Sequence, residues 1–298
     1  MGKNNCAMKK LLTFIIIVTC FSTNAQYKRA KSKKSWTSGT MFVYWGYNRS
    51  VYTKSNINFI GAGYDFTLNG AKAVDRPTTD IKTYFNIAEI TVPQFNLRIG
   101  YNFKNNWAVS IGYDHMKYVL VDNKPYSLSG HINYGIDNVT NWSGDYTNEP
   151  VVTQKETFHY ENTNGLNYIR AEISRIDPLF RTESGNFTIL SSFGGSVGGI
   201  LSFNDFTFAG RKDTQTVSMS GFGISAHAGA RFEFYKHFFL QFNAAAGFMN
   251  QVHVDTRPND YDSYAKQKFG YSASELVVGA LFYFRPKNGC DSCPHWGK

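Results

Sequence analysis

Two pairs of residues have the types that acyl-transfer chemistry uses: Ser225 with His227, two positions apart, and Asp114 beside His115. A hydroxyl becomes a nucleophile when an imidazole takes its proton and a carboxylate orients that imidazole. No nucleophile-elbow motif surrounds either pair, and Ser and His two apart on a strand arise easily by chance. A second set is electrostatic. Arg98, Arg170, Arg231 and Arg285 fall on the same strand faces as Asp114, Glu172, Glu233 and Glu275. Four positive groups against four negative ones suit either a compensated ion-pair core or a narrow proton or ion path. The expected reading is the core, because buried charges must be paired. A third set lies near the C-terminus, where Cys290 and Cys293 flank Asp291-Ser292 and precede His295. A redox pair needs a helix N-terminus and a zinc site needs a fourth ligand, and this stretch offers neither. A small disulfide loop or free thiols is expected, with no metal and no cofactor.

The elements that must position these groups are strands. Phe95, Leu97, Ile99, Tyr101 and Phe103 alternate with Asn96, Arg98, Gly100 and Asn102. After Lys104-Asn105-Asn106, Trp107, Val109, Ile111 and Tyr113 alternate with Ala108, Ser110, Gly112 and Asp114, which reads as a hairpin. The same period of two runs through Phe222–Phe234, Phe238–Phe248 and Leu276–Phe284. Eight strands are expected, at about 39–49, 94–103, 106–120, 166–177, 186–204, 216–234, 238–254 and 270–285, and two more could lie in 55–92. The links near 104, 180 and 236 are short and those at 51–93 and 121–165 long. That sorting matches a barrel with short periplasmic turns and long outer loops. The expected fold is therefore an all-β antiparallel transmembrane barrel of residues 39–285, with a lumen just wide enough for its own side chains. A soluble secreted β-protein is the alternative. It would turn the apolar faces inward and leave Arg98, Arg231 and Glu275 in solvent.

Export is written in the first 25 residues. Lys3, Lys9 and Lys10 precede the apolar run Leu11–Phe21, and Thr23-Asn24-Ala25 suits cleavage before Gln26. The run is too short to span a bilayer, and no apolar run after Ala25 is longer. Cleavage removes three lysines and no acids, so the charge of the remaining chain is 28 − 22 = +6. Lys28, Arg29, Lys31, Lys33 and Lys34 crowd into a basic periplasmic linker, 26–38, read as solvated. Residues 286–298 are expected to be a periplasmic tail, and nucleic acid is not an expected partner of an exported chain. Aromatics make up 16 % of the residues. Phe238, Phe239, Phe242, Tyr283 and Trp107 fit the girdles of a barrel. Tyr52, Tyr64, Phe66, Tyr126, Tyr134, Trp142, Tyr146 and Phe158 lie in the long segments, as contact residues or as packing for a lid.

With Trp45-Gly46-Tyr47-Asn48-Arg49, Tyr64-Asp65-Phe66-Thr67-Leu68 and Asp114-His115-Met116-Lys117-Tyr118, the chain resembles a group of uncharacterised outer-membrane β-barrel proteins of the small OmpA/OmpW-like type. The resemblance covers nearly the whole chain after residue 25. It implies a cell outer membrane address, outer-membrane lipid and lipopolysaccharide as surroundings, and the barrel insertion machinery as a partner. It carries over no catalytic residues. One departure is that 14 residues follow Phe284, where such barrels usually end on an aromatic of the last strand. The expected role is non-enzymatic, structural or surface-binding through outer loops to an unspecified ligand. The alternative is a lipid A-modifying acyl hydrolase or transferase using Ser225, His227, Asp114 and His115.

Overall fold

The structure, a computed structural model, describes residues 38–283 except 85, 87, 88, 90, 91 and 105. The expected signal peptide, all but the last residue of the basic linker, Arg285, and the tail with Cys290 and Cys293 lie outside the described residues. Eight long strands close a ring: β1 (Thr40–Tyr52), β5 (Phe95–Lys104), β6 (Trp107–Leu120), β9 (His159–Arg181), β10 (Phe187–Phe208), β11 (Arg211–Phe234), β12 (Phe238–Asp255) and β13 (Tyr264–Tyr283). Every pairing is antiparallel, and β13 returns to β1 with Thr40 opposite Tyr283 and Tyr52 opposite Tyr271. Closure removes the unpaired edges of an open sheet.

Five shorter strands stand outside the ring. They are β2 (Ser55–Gly61), β3 (Tyr64–Ala71), β4 (Ala73–Val74), β7 (Pro125–Ile132) and β8 (Gly144–Val152). The further strands sought in 55–92 thus exist without widening the ring. β2 continues upward where β1 stops, pairing Ile57 with Gln267 and Ile60 with Tyr264 of β13. β3, β7 and β8 extend that sheet in turn. Segment 122–165, expected as a loop or lid, contains β7, β8 and the first residues of β9, which starts at His159. We call this end the crown; the opposite end carries the short links 182–186 and 235–237.

The pattern of two sorts the ring as its alternation requires. Ile99, Ile111, Ile173, Val197, Phe242, Leu276 and Val278 are exposed on the outer face. Arg98, Arg170, Arg231 and Glu275 are buried inside. The inverse arrangement of a soluble β-protein is not present at this level. Among the expected girdle rings, Phe239 and Tyr283 depart: Phe239, next to outward Phe238, faces the lumen and is buried, and Tyr283, on the inward parity of Val277 and Leu281, packs against the same lumen cluster.

Inside the crown the rule reverses. Phe59, Phe66, Phe158, Phe206 and Phe208 form a closed aromatic core with Tyr118, Tyr160 and Trp142. Phe59 stacks on Phe66 at 5.3 Å and on Phe206 at 5.2 Å, and meets Phe158 edge-on at 5.3 Å. Such ring pairs add about 0.5–1.5 kcal/mol each beyond the area they bury. Of the aromatics in the long segments, Tyr52, Tyr64, Phe66, Tyr126, Trp142 and Phe158 are buried here, and Tyr134 alone is largely exposed, at 84 %.

Candidate functional site in the lumen

The lumen between the crown and the short-turn end is filled in two layers. Nearest the short turns, Phe42, Tyr44, Ile176, Leu190, Phe239, Val277 and Leu281 pack together. Room for these rings comes from glycines on neighbouring strands. A Cβ at Gly100 would lie 2.2 Å from the Phe42 ring, and one at Gly279 would lie 2.2 Å from Phe239. Arg231 sits over this layer, its guanidinium 4.2 Å from the Phe239 centroid and 5.2 Å from that of Phe42.

Above it lies the charged layer. Arg98 contacts Asp114 at 2.6 Å and Glu172 at 3.7 Å. Arg170 contacts Asp114 at 3.1 Å, Glu172 at 3.3 Å and Glu275 at 3.7 Å. Arg98 reaches across because position 112 is glycine; a Cβ there would meet its side chain at 2.4 Å. Two arginines thus share three carboxylates. Amides extend the network: Asn96 donates to Asp114 at 2.5 Å and to Glu275 at 3.3 Å, and Asn243 donates to Glu275 at 3.0 Å. Arg231 donates to Gln241 at 2.6 Å, and Gln241 to Asn243 at 2.8 Å. Glu233 is the outlier, buried with Arg231 only at 3.9 Å. Seven of the eight charges placed inward by the alternation are therefore in the lumen, and Arg285 lies outside the described residues. The bridging amides share the parity of the charges, which was the sequence signal for them.

The acyl-transfer pairs are not assembled as pairs. Ser225 Oγ is 2.7 Å from Ser196 Oγ and accepts from Arg170 at 2.8 Å. His227 instead has Nε2 3.4 Å from Ser192 Oγ and Nδ1 3.7 Å from Glu172. Asp114 faces the arginines, whereas His115, next along the strand, faces the other way. It meets Asn167 at 2.8 Å and the Phe95 ring at 5.5 Å. Ser192, the hydroxyl that does lie beside His227, carries no motif that would have marked it.

A second polar cluster, unforeseen from the sequence, stands in the crown. His159 is held between Asp122, 3.0 Å from Nδ1, and Glu161, 2.9 Å from Nε2, and Arg76 meets the same Glu161 at 3.1 Å. Burial alone would lower the His159 pKa, but hydrogen bonds to the two carboxylates outweigh it and lift the imidazole to about 9. Burial likewise opposes ionisation of Glu161, yet His159, Thr163 and Arg76 bring it down to about 2. Both ring nitrogens are engaged, so His159 is an ionic staple rather than a base. Among the described residues no group of three or more His, Cys, Asp and Glu could hold a metal ion.

No family model matches the chain and no curated protein matches it. Among solved structures, the outer membrane protein OprG from Pseudomonas aeruginosa aligns at 10 % identity and a TM-score of 0.36, covering 85 % of this chain and 100 % of that one. The outer membrane protein AlkL aligns at 11 % and 0.37, covering 89 % and 99 %. The outer membrane protease OmpT from Escherichia coli aligns at 10 % and 0.34, covering 85 % and 100 %. These likenesses assign neither a ligand nor an activity.

Proposed function

We propose that this chain is a non-enzymatic outer-membrane β-barrel whose sealed ring anchors a rigid crown that meets the cell's surroundings. The observation that carries this reading is the change of face along the strands. A closed ring with exposed aliphatic side chains outside and paired charges inside suits hydrocarbon, which tolerates only closed strands. A crown with its aromatics inside and its polar groups outside suits water. The short links then lie at the periplasm and the crown outside the cell. Tyr134 in the β7–β8 connection and Tyr261 in the β12–β13 connection are 84 % and 78 % exposed, and are the large side chains the crown offers a partner.

The test is fractionation of expressing cells, followed by a carbonate wash and gel mobility with and without boiling. Retention in the outer membrane with a boiling-dependent shift is expected. Release as a soluble protein sinks the reading. Because the lumen is filled by two layers, purified protein should give no steady single-channel current in planar bilayers.

One observation favours the lipid-modifying alternative, the run Ser192–His227–Glu172. Against it, Ser192 and Glu172 are buried in the filled lumen, and Glu172 already faces two arginines. Lipid A mass spectra that stay unchanged on deletion and overexpression would remove it.

A further inference from the structure

On the outer face, a cleft of about 590 Å³ opens where three strands lose their regular pairing. β1 leaves β13 after Tyr52, and β2 resumes the pairing at Ile57, so residues 53–56 step around Lys268 and Phe269. On the other flank, the β12–β13 register shifts between Gln251 and Val254. These coincident irregularities hollow out the wall between Lys54, Asn56, Asn250, Lys266 and Lys268, and no carboxylate lines the hollow. All three lysines are exposed. Asp255, on the adjoining strand, is engaged by His253 at 2.9 Å. Gln251 and Gln267 form the floor and bond to each other at 2.7 Å.

The height of the cleft points to its occupant. On β12 the outward column Phe238, Leu240, Phe242, Ala244, Ala246 and Phe248 covers ten residue steps, roughly 25 Å on a tilted strand, the height of a barrel's apolar band. Phe248 pairs with Gly270, and the next outward pair is Asn250 with Lys268. The lysines therefore begin one step beyond the last ring of the band, at the level where headgroups start. Three lysines lining one cleft that no carboxylate lines, Lys266 with its ammonium 5.6 Å from the Tyr264 ring centroid, form a site for a compact multivalent anion.

We propose that this cleft binds the phosphate of an outer-leaflet glycolipid headgroup. The proposal rests on the membrane placement above, which the fractionation experiment tests separately. The full chain in detergent is incubated with bis-phosphorylated lipid A, with dephosphorylated lipid A, or with inorganic pyrophosphate, and bound species are counted by native mass spectrometry. Lipid A retention should fall by about tenfold or more in the K54Q/K266Q/K268Q variant and survive in K54R/K266R/K268R. Dephosphorylated lipid A should be retained no better than by the glutamine variant. Heat-modifiable mobility confirms that each variant is folded. Equal retention by wild type and the glutamine variant would overturn the site. Pyrophosphate binding as tightly as lipid A would overturn the lipid as the source of the phosphate.

Discussion

Between Phe95 and Asp114, β5 and β6 turn Leu97, Ile99, Val109 and Ile111 outward and Arg98 and Asp114 inward. Between Ile57 and Leu68, β2 and β3 do the opposite, burying Ile57, Phe59, Phe66 and Leu68 while Asn58, Asp65 and Thr67 bond to one another outside. One chain thus contains a ring with its aliphatic side chains outside and, continuous with it through β13, a β-structure with its apolar side chains inside. On the placement proposed above, what differs is the medium against the outer face. Where that medium is apolar, polar groups gain by gathering inside, provided each finds a partner. Where it is water, burial of rings is the larger gain.

The comparison breaks most readily at the charged layer. Arg170→Leu leaves Asp114, Glu172 and Glu275 with fewer counter-charges, and should cost about 3–5 kcal/mol in urea unfolding of the inserted protein. Arg98→Met with Asp114→Leu, which removes charge in a balanced pair, should cost clearly less than Arg98→Met alone. In the crown, Phe66→Ala should cost a similar ~3–5 kcal/mol by opening a cavity. Its signature differs: β2–β3 should become cleavable by protease while the boiling-dependent mobility of the ring persists. On the outer faces, Ile111→Arg should destabilise the inserted barrel by about 2–4 kcal/mol, and Thr67→Arg on the crown by less than about 0.5 kcal/mol. Equal costs at these two positions would mean that both faces meet the same medium.

A pH dependence is expected in the crown alone. His159 has its pKa raised from 6.5 to about 9, so the stability it adds is fully present below pH 6.5 and is lost as pH rises through 9. Glu161 is lowered from 4.5 to about 2, so its share is present above pH 4.5 and lost as pH falls through 2. Crown protection in hydrogen exchange should therefore be greatest between those limits and fall on the alkaline side by on the order of 1–2 kcal/mol. His159→Gln should flatten that alkaline limb and leave the ring unchanged.

The ring was legible because a strand reports its two environments in adjacent letters. The alternation at 95–113, 222–248 and 275–284 located those strands and put Arg98, Arg231 and Glu275 on the inner face without any knowledge of their partners. The crown was obscure for the same reason. In 55–68 the apolar parity shifts between Phe59 and Ile60, since Ala62-Gly63 turns the chain back and the buried face changes register with it. Partners across the lumen were beyond reach as well. That Arg98 lies over Gly112, that His227 meets Ser192 rather than Ser225, and that His159 joins Asp122 depend on shear and strand order, which relate positions tens of residues apart. Sequence by itself determined which side chains face in or out along each long strand, because that follows from a backbone period of two. Tertiary structure alone decided which of them meet, where the wall opens between Lys54, Lys266 and Lys268, and at what level the inside changes from charge to aromatic rings, because these follow from how separate strands register against one another.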